Sequence, residues 1–159
     1  MMENIDFSKH KTLVELGPGT GVFTHSILSK MPKDSVLFIF ELHEPFYHKL
    51  KHELKHDQRA VVIHDSAENM LHHLNQAGYS CANVVLSSLP LANFNITLRE
   101  QIVQEVHTCL CEHGIYVQFQ YSLKTKKMIQ RYFEKTKITF TSRNLPPAFV
   151  YTCKKNGLA

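Results

Sequence analysis

A glycine-rich turn is the part of this sequence that most directly indicates ligand binding. Gly17, Gly19 and Gly21 alternate with Pro18 and Thr20 directly after an apolar run. Because glycine has no β-carbon, its backbone can approach a ligand closely and adopt positive φ. The helix that is predicted to follow would offer free N–H groups to an acceptor such as a carboxylate. The turn therefore predicts a binding site at the start of that helix.

Two acidic residues follow the next two apolar runs. Glu41 lies about twenty positions after Gly21, where a carboxylate can accept hydrogen bonds from both hydroxyls of a ribose. Asp65 follows the next run, where a carboxylate could accept from an adenine amino group. The dinucleotide spacing G-x-G-x-x-G would need glycine at the position of Val22, and the third glycine comes one place earlier. The pattern thus favours a ligand made of adenosine and an amino acid, and it disfavours a dehydrogenase.

These residues lie at the ends of predicted strands. Short apolar runs predict seven strands, at Thr12–Leu16, Val36–Phe40, Ala60–His64, Asn83–Ser87, Ile115–Gln120, Ile138–Thr141 and Phe149–Cys153. Apolar periodicity predicts helices at Val22–Lys30, Glu44–His56, Ala67–Ala77, Thr97–Cys111 and Lys124–Glu134. The alternation predicts an α/β fold with an approximately seven-stranded, mainly parallel sheet and helices on both faces. We expect residues 1–159 to form one domain, with its ligand at the carboxyl ends of the strands.

The composition is that of an ordinary globular protein, with 43% hydrophobic and 20% charged residues. A net charge of +4 permits an anionic partner, such as a lipid surface or nucleic acid, without requiring one. No apolar run approaches the roughly 20 residues that cross a bilayer, and no secretory signal is recognisable. The cysteines match no paired zinc pattern. We therefore expect a cytoplasmic protein with reduced thiols at Cys81, Cys109, Cys111 and Cys153.

Several segments carry a resemblance to a known family. Glu15–Gly21 resembles the first motif of class I S-adenosylmethionine-dependent methyltransferases, with Glu41 as the second motif and Asp65 as the third. Three further segments resemble bacterial phospholipid N-methyltransferases, namely Ser87–Leu91, Gln118–Tyr121 and Arg143–Ala148. Those enzymes methylate phosphatidylethanolamine and are in turn similar to rRNA adenine dimethyltransferases. The resemblance extends from Leu13 to Cys153 and implies a Rossmann-like methyltransferase fold.

The resemblance implies S-adenosylmethionine as the cofactor, and the spacing of the cysteines and histidines predicts no metal site. Its methionine portion would lie at the glycine turn, its ribose at the second motif, its adenine at the third and its methyl sulfonium after the fourth strand. The implied cofactor-binding residues, in chain order, are Glu15, Gly17, Gly19, Thr20, Gly21, Glu41, Leu42, Asp65, Ser66, Ser87 and Leu89. Tyr121 and Asn144 would lie at the acceptor pocket, and Tyr121 is also the candidate catalytic residue.

The implied reaction is N-methylation of a small or lipid amine, such as the phosphatidylethanolamine headgroup. Enzymes that methylate base amines usually carry Asn or Asp, then Pro-Pro or Leu-Pro, then an aromatic residue after the fourth strand. Here Ser88, Leu89, Pro90 and Leu91 stand there, so an rRNA or other nucleic-acid adenine is the less favoured alternative. A cofactor-binding module without catalysis is the third reading.

The chain departs from the phospholipid enzymes in two places. Those enzymes usually carry a helix before the first strand, and only about ten residues precede Thr12, so we expect that helix to be missing or reduced. Ser88 stands where they usually have glycine.

Basic residues concentrate in the segment Lys124–Lys137, among apolar ones. A basic amphipathic helix can rest on an anionic lipid surface, which would place the protein peripherally at the inner membrane face. The alternative is a sheet-covering helix with one solvated face. His48, His52 and His56 share a helical face, but no carboxylate or cysteine completes a zinc set, so we predict a solvated face there.

Overall fold

Seven strands form one sheet in the computed structural model of the protein, which describes residues 5–142 and 147–156. They are β1 (Thr12–Leu16), β2 (Val36–Phe40), β3 (Ala60–Ile63), β4 (Ala82–Ser87), β5 (Leu110–Gln120), β6 (Lys135–Thr141) and β7 (Ala148–Lys154). Their order is β3-β2-β1-β4-β5-β7-β6. Strands β1 to β5 are parallel, and β7 is antiparallel to both of its neighbours. The predicted seven-stranded, mainly parallel sheet is confirmed.

Within the described residues, five α-helices cover the two faces of the sheet. Helices α1 (Val22–Lys30) and α2 (Glu44–Glu53) pack on one face. Helices α3 (Met70–Gln76), α4 (Ile96–Cys109) and α5 (Lys126–Tyr132) pack on the other. Every residue of β1 and β2 is buried, as expected for central strands covered on both sides. The prediction of helices on both faces is confirmed.

The register of the parallel strands brings their carboxyl ends to one edge of the sheet. Leu16 of β1 lies opposite Phe40 of β2 and opposite Ser87 of β4. Backbone hydrogen bonds extend this alignment past the strands: the N–H of Gly17 donates to the carbonyl of Phe40 at 3.0 Å, and that of Glu41 to Ile63 at 3.1 Å. The glycine turn and the two acidic segments therefore start from the same edge.

A disulfide between Cys81 and Cys111 joins the starts of β4 and β5. The prediction that all four cysteines are reduced thiols is therefore wrong for this pair. Cys109 and Cys153 are free and buried in the part of the chain that the structure describes. The spacing of the four residues matches no metal motif, and it could not show that two distant positions start neighbouring strands.

Strand β5 begins at Leu110, five residues earlier than the predicted start at Ile115. Pairing begins at Leu110 opposite Ala82 and resumes at Ile115 opposite Val84, so the residues between them form a bulge. Helix α4 accordingly ends before Cys111. Glycine is required at position 114, because a Cβ there would lie 2.8 Å from the carbonyl oxygen of Cys111. The bulge places Cys111 beside its partner.

The basic segment is not one helix. Helix α5 ends at Tyr132, and β6 begins at Lys135, so the predicted helix over Lys124–Glu134 is too long at both ends. The basic side chains of the segment are exposed, and Arg131 forms an ion pair with Glu100. Across the two described ranges, no helix has both the length and the apolar character that spanning a bilayer requires.

Candidate functional site

The glycine turn connects β1 to α1 and has left-handed backbone at two positions that matter for the site. Gly17 has φ +66°, and a Cβ on it would lie 2.7 Å from Cδ2 of Leu89, so only glycine lets the turn pack against the segment after β4. Gly19 has φ +56°, and a Cβ there would meet nothing within 4 Å. The turn therefore packs against Leu89 at Gly17, whereas the space next to Gly19 contains no protein atom within 4 Å of a Cβ position.

Glu41 joins the glycine turn to the end of β2. Its Oε2 accepts a hydrogen bond from the N–H of Gly19 at 3.0 Å, and its Oε1 accepts from the N–H of His43 at 2.8 Å. The side chain is buried. Because each carboxylate oxygen can accept more than one hydrogen bond, Glu41 keeps acceptor capacity for a ligand's hydroxyls.

Asp65 follows β3 and is held by three donors. Its Oδ1 accepts from the N–H of Ser66 at 2.7 Å and from Nδ2 of Asn69 at 2.9 Å, and its Oδ2 lies 2.7 Å from Nε2 of His73. The hydrogen bond from His73, followed by that from Asn69, lowers the pKa of Asp65 to about 2. Asp65 is therefore an ionised acceptor in a fixed position.

Glu15 lies in β1 beneath the glycine turn, and its side chain is 2% exposed. Thr24 of α1 donates a hydrogen bond to its Oε2 at 2.6 Å, whereas its Oε1 is buried with no partner among the described residues. Burial raises the pKa of Glu15 to about 7, against the opposing effect of the Thr24 hydrogen bond. An orphaned carboxylate oxygen of this kind is costly unless a further donor reaches it.

A cavity of about 150 Å³ lies at the carboxyl ends of β1, β2 and β3. Six of the predicted cofactor-binding residues line it, namely Gly17, Glu41, Leu42, Asp65, Ser66 and Leu89. The other five do not: Glu15 lies beneath the turn, Ser87 is buried under Leu89, and Gly19, Thr20 and Gly21 are not among the lining residues.

Sequence reasoning missed the apolar wall of this first cavity. Phe94, Leu98 and Ile102 line it from the segment around the start of α4. The available signal was the apolar periodicity of α4, which indicates a buried face but not which part of that face borders a site. The wall is suited to a flat, weakly polar group such as a purine ring.

A second cavity, of about 260 Å³, lies on the other side of the segment after β4 and includes Ser88 and Tyr121 in its lining. The two cavities are separated by Leu89. Its carbonyl accepts hydrogen bonds from the side-chain amides of Gln118 at 3.0 Å and Gln120 at 2.9 Å, and its N–H donates to Oγ of Ser87 at 3.3 Å. Tyr121 is exposed, and Asn144, the other predicted acceptor residue, lies outside the described residues.

His48 and His52 lie on α2 and are exposed, and His48 lies 3.5 Å from Glu44. His56 is also exposed but follows the end of α2 at Glu53, so the predicted helix over Glu44–His56 is too long and the shared face does not include it. Among residues 5–142 and 147–156, no group of three or more potential ligands could hold a metal ion.

Comparison with known proteins gives one family and several relatives. The family model for ribosomal RNA adenine dimethylase matches residues 1–110. An ornithine lipid N-methyltransferase from Singulisphaera acidiphila is 27% identical over 154 residues, which cover 96% of this chain and 80% of that protein.

Solved structures share the fold. An rRNA methylase from Streptococcus thermophilus has a TM-score of 0.72 at 16% identity, over 95% of this chain and 90% of that one. The N-methyltransferase NodS from Bradyrhizobium japonicum has a TM-score of 0.73 at 9% identity, over 94% and 88%. At these identities the likeness concerns the fold alone.

Proposed function

Because the chain belongs to the ribosomal RNA adenine dimethylase family and is an S-adenosylmethionine-dependent methyltransferase, we propose that its methyl acceptor is the amine of a lipid headgroup. The similarity to an ornithine lipid N-methyltransferase over nearly the whole chain supports this acceptor class. The family match supports an RNA adenine as the second candidate. The surface around the two cavities favours the lipid.

The residues that line the first cavity, together with the glycine turn next to it, fit S-adenosylmethionine. Gly19 leaves open space where a side chain would stand, Glu41 and Asp65 are fixed acceptors for ribose hydroxyls and an adenine amine, and the apolar wall suits the purine. The unpartnered oxygen of Glu15 beneath the turn suits a nearby cationic amino group. The bound cofactor supplies an electrophilic methyl group.

The observation that carries the proposal is an apolar rim at the carboxyl edge of the sheet. Val22, Leu42, Ile96, Tyr121 and Leu123 are large apolar side chains that are all exposed. Each follows the carboxyl end of a strand or begins the helix after one. Soluble proteins usually expose such side chains singly, whereas a group on one edge marks an interaction surface. An apolar rim around the site suits an acceptor embedded in lipid.

The segment after β4 argues against a flipped adenine. Ser88 offers a hydroxyl rather than an amide or carboxylate, and Leu91 is buried in the core rather than available to stack on a base. Base-modifying enzymes rely on both hydrogen bonding and stacking to hold the extruded base. In the proposed reaction Ser88 instead borders the second cavity, where the amine would be positioned next to the cofactor in the first cavity.

The chain's own contribution to the reaction is positioning and proton removal. Holding the amine in line with the methyl group accounts for much of the rate in such reactions. The ammonium must also lose a proton before it can attack. Tyr121, which lines the second cavity and is exposed to water, is the proposed group that orients the amine and passes this proton to solvent.

Anionic lipid would bind the basic side chains next to the rim. Lys124, Lys126 and Lys127 are exposed, directly after Tyr121 and Leu123. Each basic residue near an anionic surface contributes about 1 kcal/mol, and salt screens this attraction. The reversal Lys126→Glu/Lys127→Glu should therefore reduce binding to anionic vesicles, which sedimentation measures at low and high salt. Lys30→Glu/Lys33→Glu is the matched control, because these exposed lysines lie at the end of α1 away from the rim.

The acceptor itself is tested by following labelled methyl groups. The protein is incubated with labelled S-adenosylmethionine and, separately, vesicles containing an amine lipid, 16S rRNA, or soluble polyamines. We expect label in the lipid fraction. Label in rRNA alone would replace the lipid by an adenine acceptor.

A further inference from the structure

The second cavity has one charged side chain among the described residues of its lining. It is enclosed by Ser88, Pro90, Ala92, Asn93 and the segment Phe119–Ser122 together with Lys124, and no acidic residue is among them. Within the described residues Lys124 forms no ion pair. The cavity therefore carries an uncompensated positive charge next to the place where an amine is expected.

The described lining of this cavity also contains a buried hydroxyl without a partner. Oγ of Ser122 is buried and makes no hydrogen bond with any described residue. Ser122 lines the cavity, two positions before Lys124. A buried hydroxyl is costly unless a partner reaches it. An ammonium and a hydroxyl that line one cavity can both donate hydrogen bonds to a carboxylate or a phosphate.

The other end of the same segment is aromatic. The rings of Phe119 and Tyr121 meet edge to face, with centroids 5.3 Å apart and planes at 88°. The ring of Phe23 lies 6.2 Å from that of Phe119. Aromatic faces attract amines in their ammonium and methylated forms through the ring quadrupole. The aromatic end thus suits the nitrogen that receives the methyl group.

A lone amine does not match this cavity. A cationic amine in the same cavity as Lys124 is repelled by the charge of that side chain. An acceptor that carries its own anion next to the amine removes this repulsion and also gives the Ser122 hydroxyl a partner. Along the segment from Phe119 to Lys124, the aromatic rings that suit the amine come first, and the hydroxyl and ammonium that suit the anion follow.

We propose that the second cavity binds a zwitterionic acceptor, with an amine at the Phe119–Tyr121 rings and a carboxylate or phosphate at Lys124 and Ser122. This inference rests on the proposed function, because it takes the second cavity as the acceptor site. It narrows the acceptor to amines with an anionic group a few bonds away. Lys124 is then a specificity-determining residue.

Binding is measured by calorimetry on the full chain saturated with S-adenosylhomocysteine. The probes are dihexanoylphosphatidylethanolamine for the phosphate, N-hexanoylornithine for the carboxylate and hexylamine for an amine without an anion, all below their micelle concentrations. We expect at least one zwitterion to bind about tenfold or more tightly than hexylamine. Comparison of the two zwitterions identifies which anion the cavity prefers.

Lys124→Met should weaken the preferred zwitterion about tenfold and leave hexylamine binding unchanged or improved. Ser122→Ala should also weaken binding of the preferred zwitterion, by a smaller factor than Lys124→Met. Lys33→Met, on the far side of the molecule, is the matched control and should change neither. Unchanged affinity for S-adenosylhomocysteine shows that each variant is folded.

The outcomes separate this inference from the proposed function. If hexylamine binds as tightly as the zwitterions, if no probe binds, or if Lys124→Met binds the zwitterions like the wild type, the zwitterion site is overturned. Transfer of label to a lipid amine would still support the proposed function in those cases. Conversely, Lys124-dependent binding without any label transfer supports the zwitterion site and overturns methylation of that amine.

Discussion

Nε2 of His73 lies 2.7 Å from Oδ2 of Asp65, so a side chain of α3 fixes the carboxylate that follows β3. The ring of His73 also packs edge-on against Phe40 at the end of β2, with ring centroids 5.6 Å apart. His73 therefore links two strand ends that border the first cavity. It contributes to the site without lining it.

Replacing His73 tests this link. His73→Ala should weaken S-adenosylmethionine binding, because Asp65 loses the donor that contributes most to its lowered pKa. Since the pair is partly exposed, the free energy of unfolding should fall only by about 0.2–1 kcal/mol. Calorimetry and urea unfolding measure the two effects. His52→Ala, an exposed histidine on α2, is the control, and equal cofactor affinity in both variants would mean that His73 has no part in the site.

Glu41 should matter more for the cofactor than any other acidic residue of the first cavity, because it also holds the glycine turn through Gly19. Glu41→Ala should weaken S-adenosylmethionine binding by about 1.5–3 kcal/mol, the range for hydrogen bonds to charged groups. Calorimetry at constant pH measures this. Glu44→Ala removes a nearby exposed carboxylate and should bind normally. If Glu41→Ala binds S-adenosylmethionine as tightly as the wild type, Glu41 has only a structural role.

Glu15 predicts a pH dependence of stability. Its pKa is raised from 4.5 to about 7 in the folded protein. A raised pKa favours the folded state fully below the unfolded value, and this contribution is lost as pH rises from about 4.5 through about 7. The free energy of unfolding of the wild type should thus fall by about 2–3 kcal/mol relative to Glu15→Gln between pH 4.5 and 8.

Urea unfolding across this pH range measures the difference between the two proteins. Glu112→Gln, an exposed residue in the bulge of β5, should follow the wild type. Parallel curves for the wild type and Glu15→Gln would show that Glu15 titrates as it does in the unfolded chain.

The disulfide should contribute strongly to stability. Cys81 and Cys111 are separated by 30 positions. Closing a loop of this size in the unfolded chain corresponds to about 3–4 kcal/mol. Cys81→Ser/Cys111→Ser should therefore unfold at lower urea concentration than the oxidised wild type. Reductant should lower the wild-type midpoint toward that of the variant and leave the variant unchanged. A wild-type midpoint that ignores reductant would mean that the bond is not formed.

Much of the fold could be predicted because its strands are short apolar runs. VLFIF at Val36–Phe40 is covered on both faces, and its predicted bounds match the structure. The start of β5 could not be predicted, since Leu110–Gly114 has no alternating pattern and its pairing depends on Ala82 in another strand. The disulfide could not be predicted either, because it also depends on the start of β5 lying next to the start of β4.

The residues of the site could likewise be predicted only in part. Strand ends are visible in sequence, so Gly17, Glu41 and Asp65 could be placed at one edge of a parallel sheet. Partners from the segments between the strands are not visible in sequence, because His73 of α3 and Phe94 before α4 reach the edge only through the way these segments pack. The resemblance to class I methyltransferases is confirmed, while the acceptor remains a prediction.

Leu89 contacts both halves of the site, and this has a consequence for the evolution of the family. A Cβ at position 17 would lie 2.7 Å from Cδ2 of Leu89, and the backbone there has φ +66°, so homologues that keep this turn should keep glycine at position 17. Leu89 is tied to β5 by two glutamine amides. Because both amides bind the backbone carbonyl of residue 89, homologues should keep amide side chains at positions 118 and 120 whichever side chain stands at position 89.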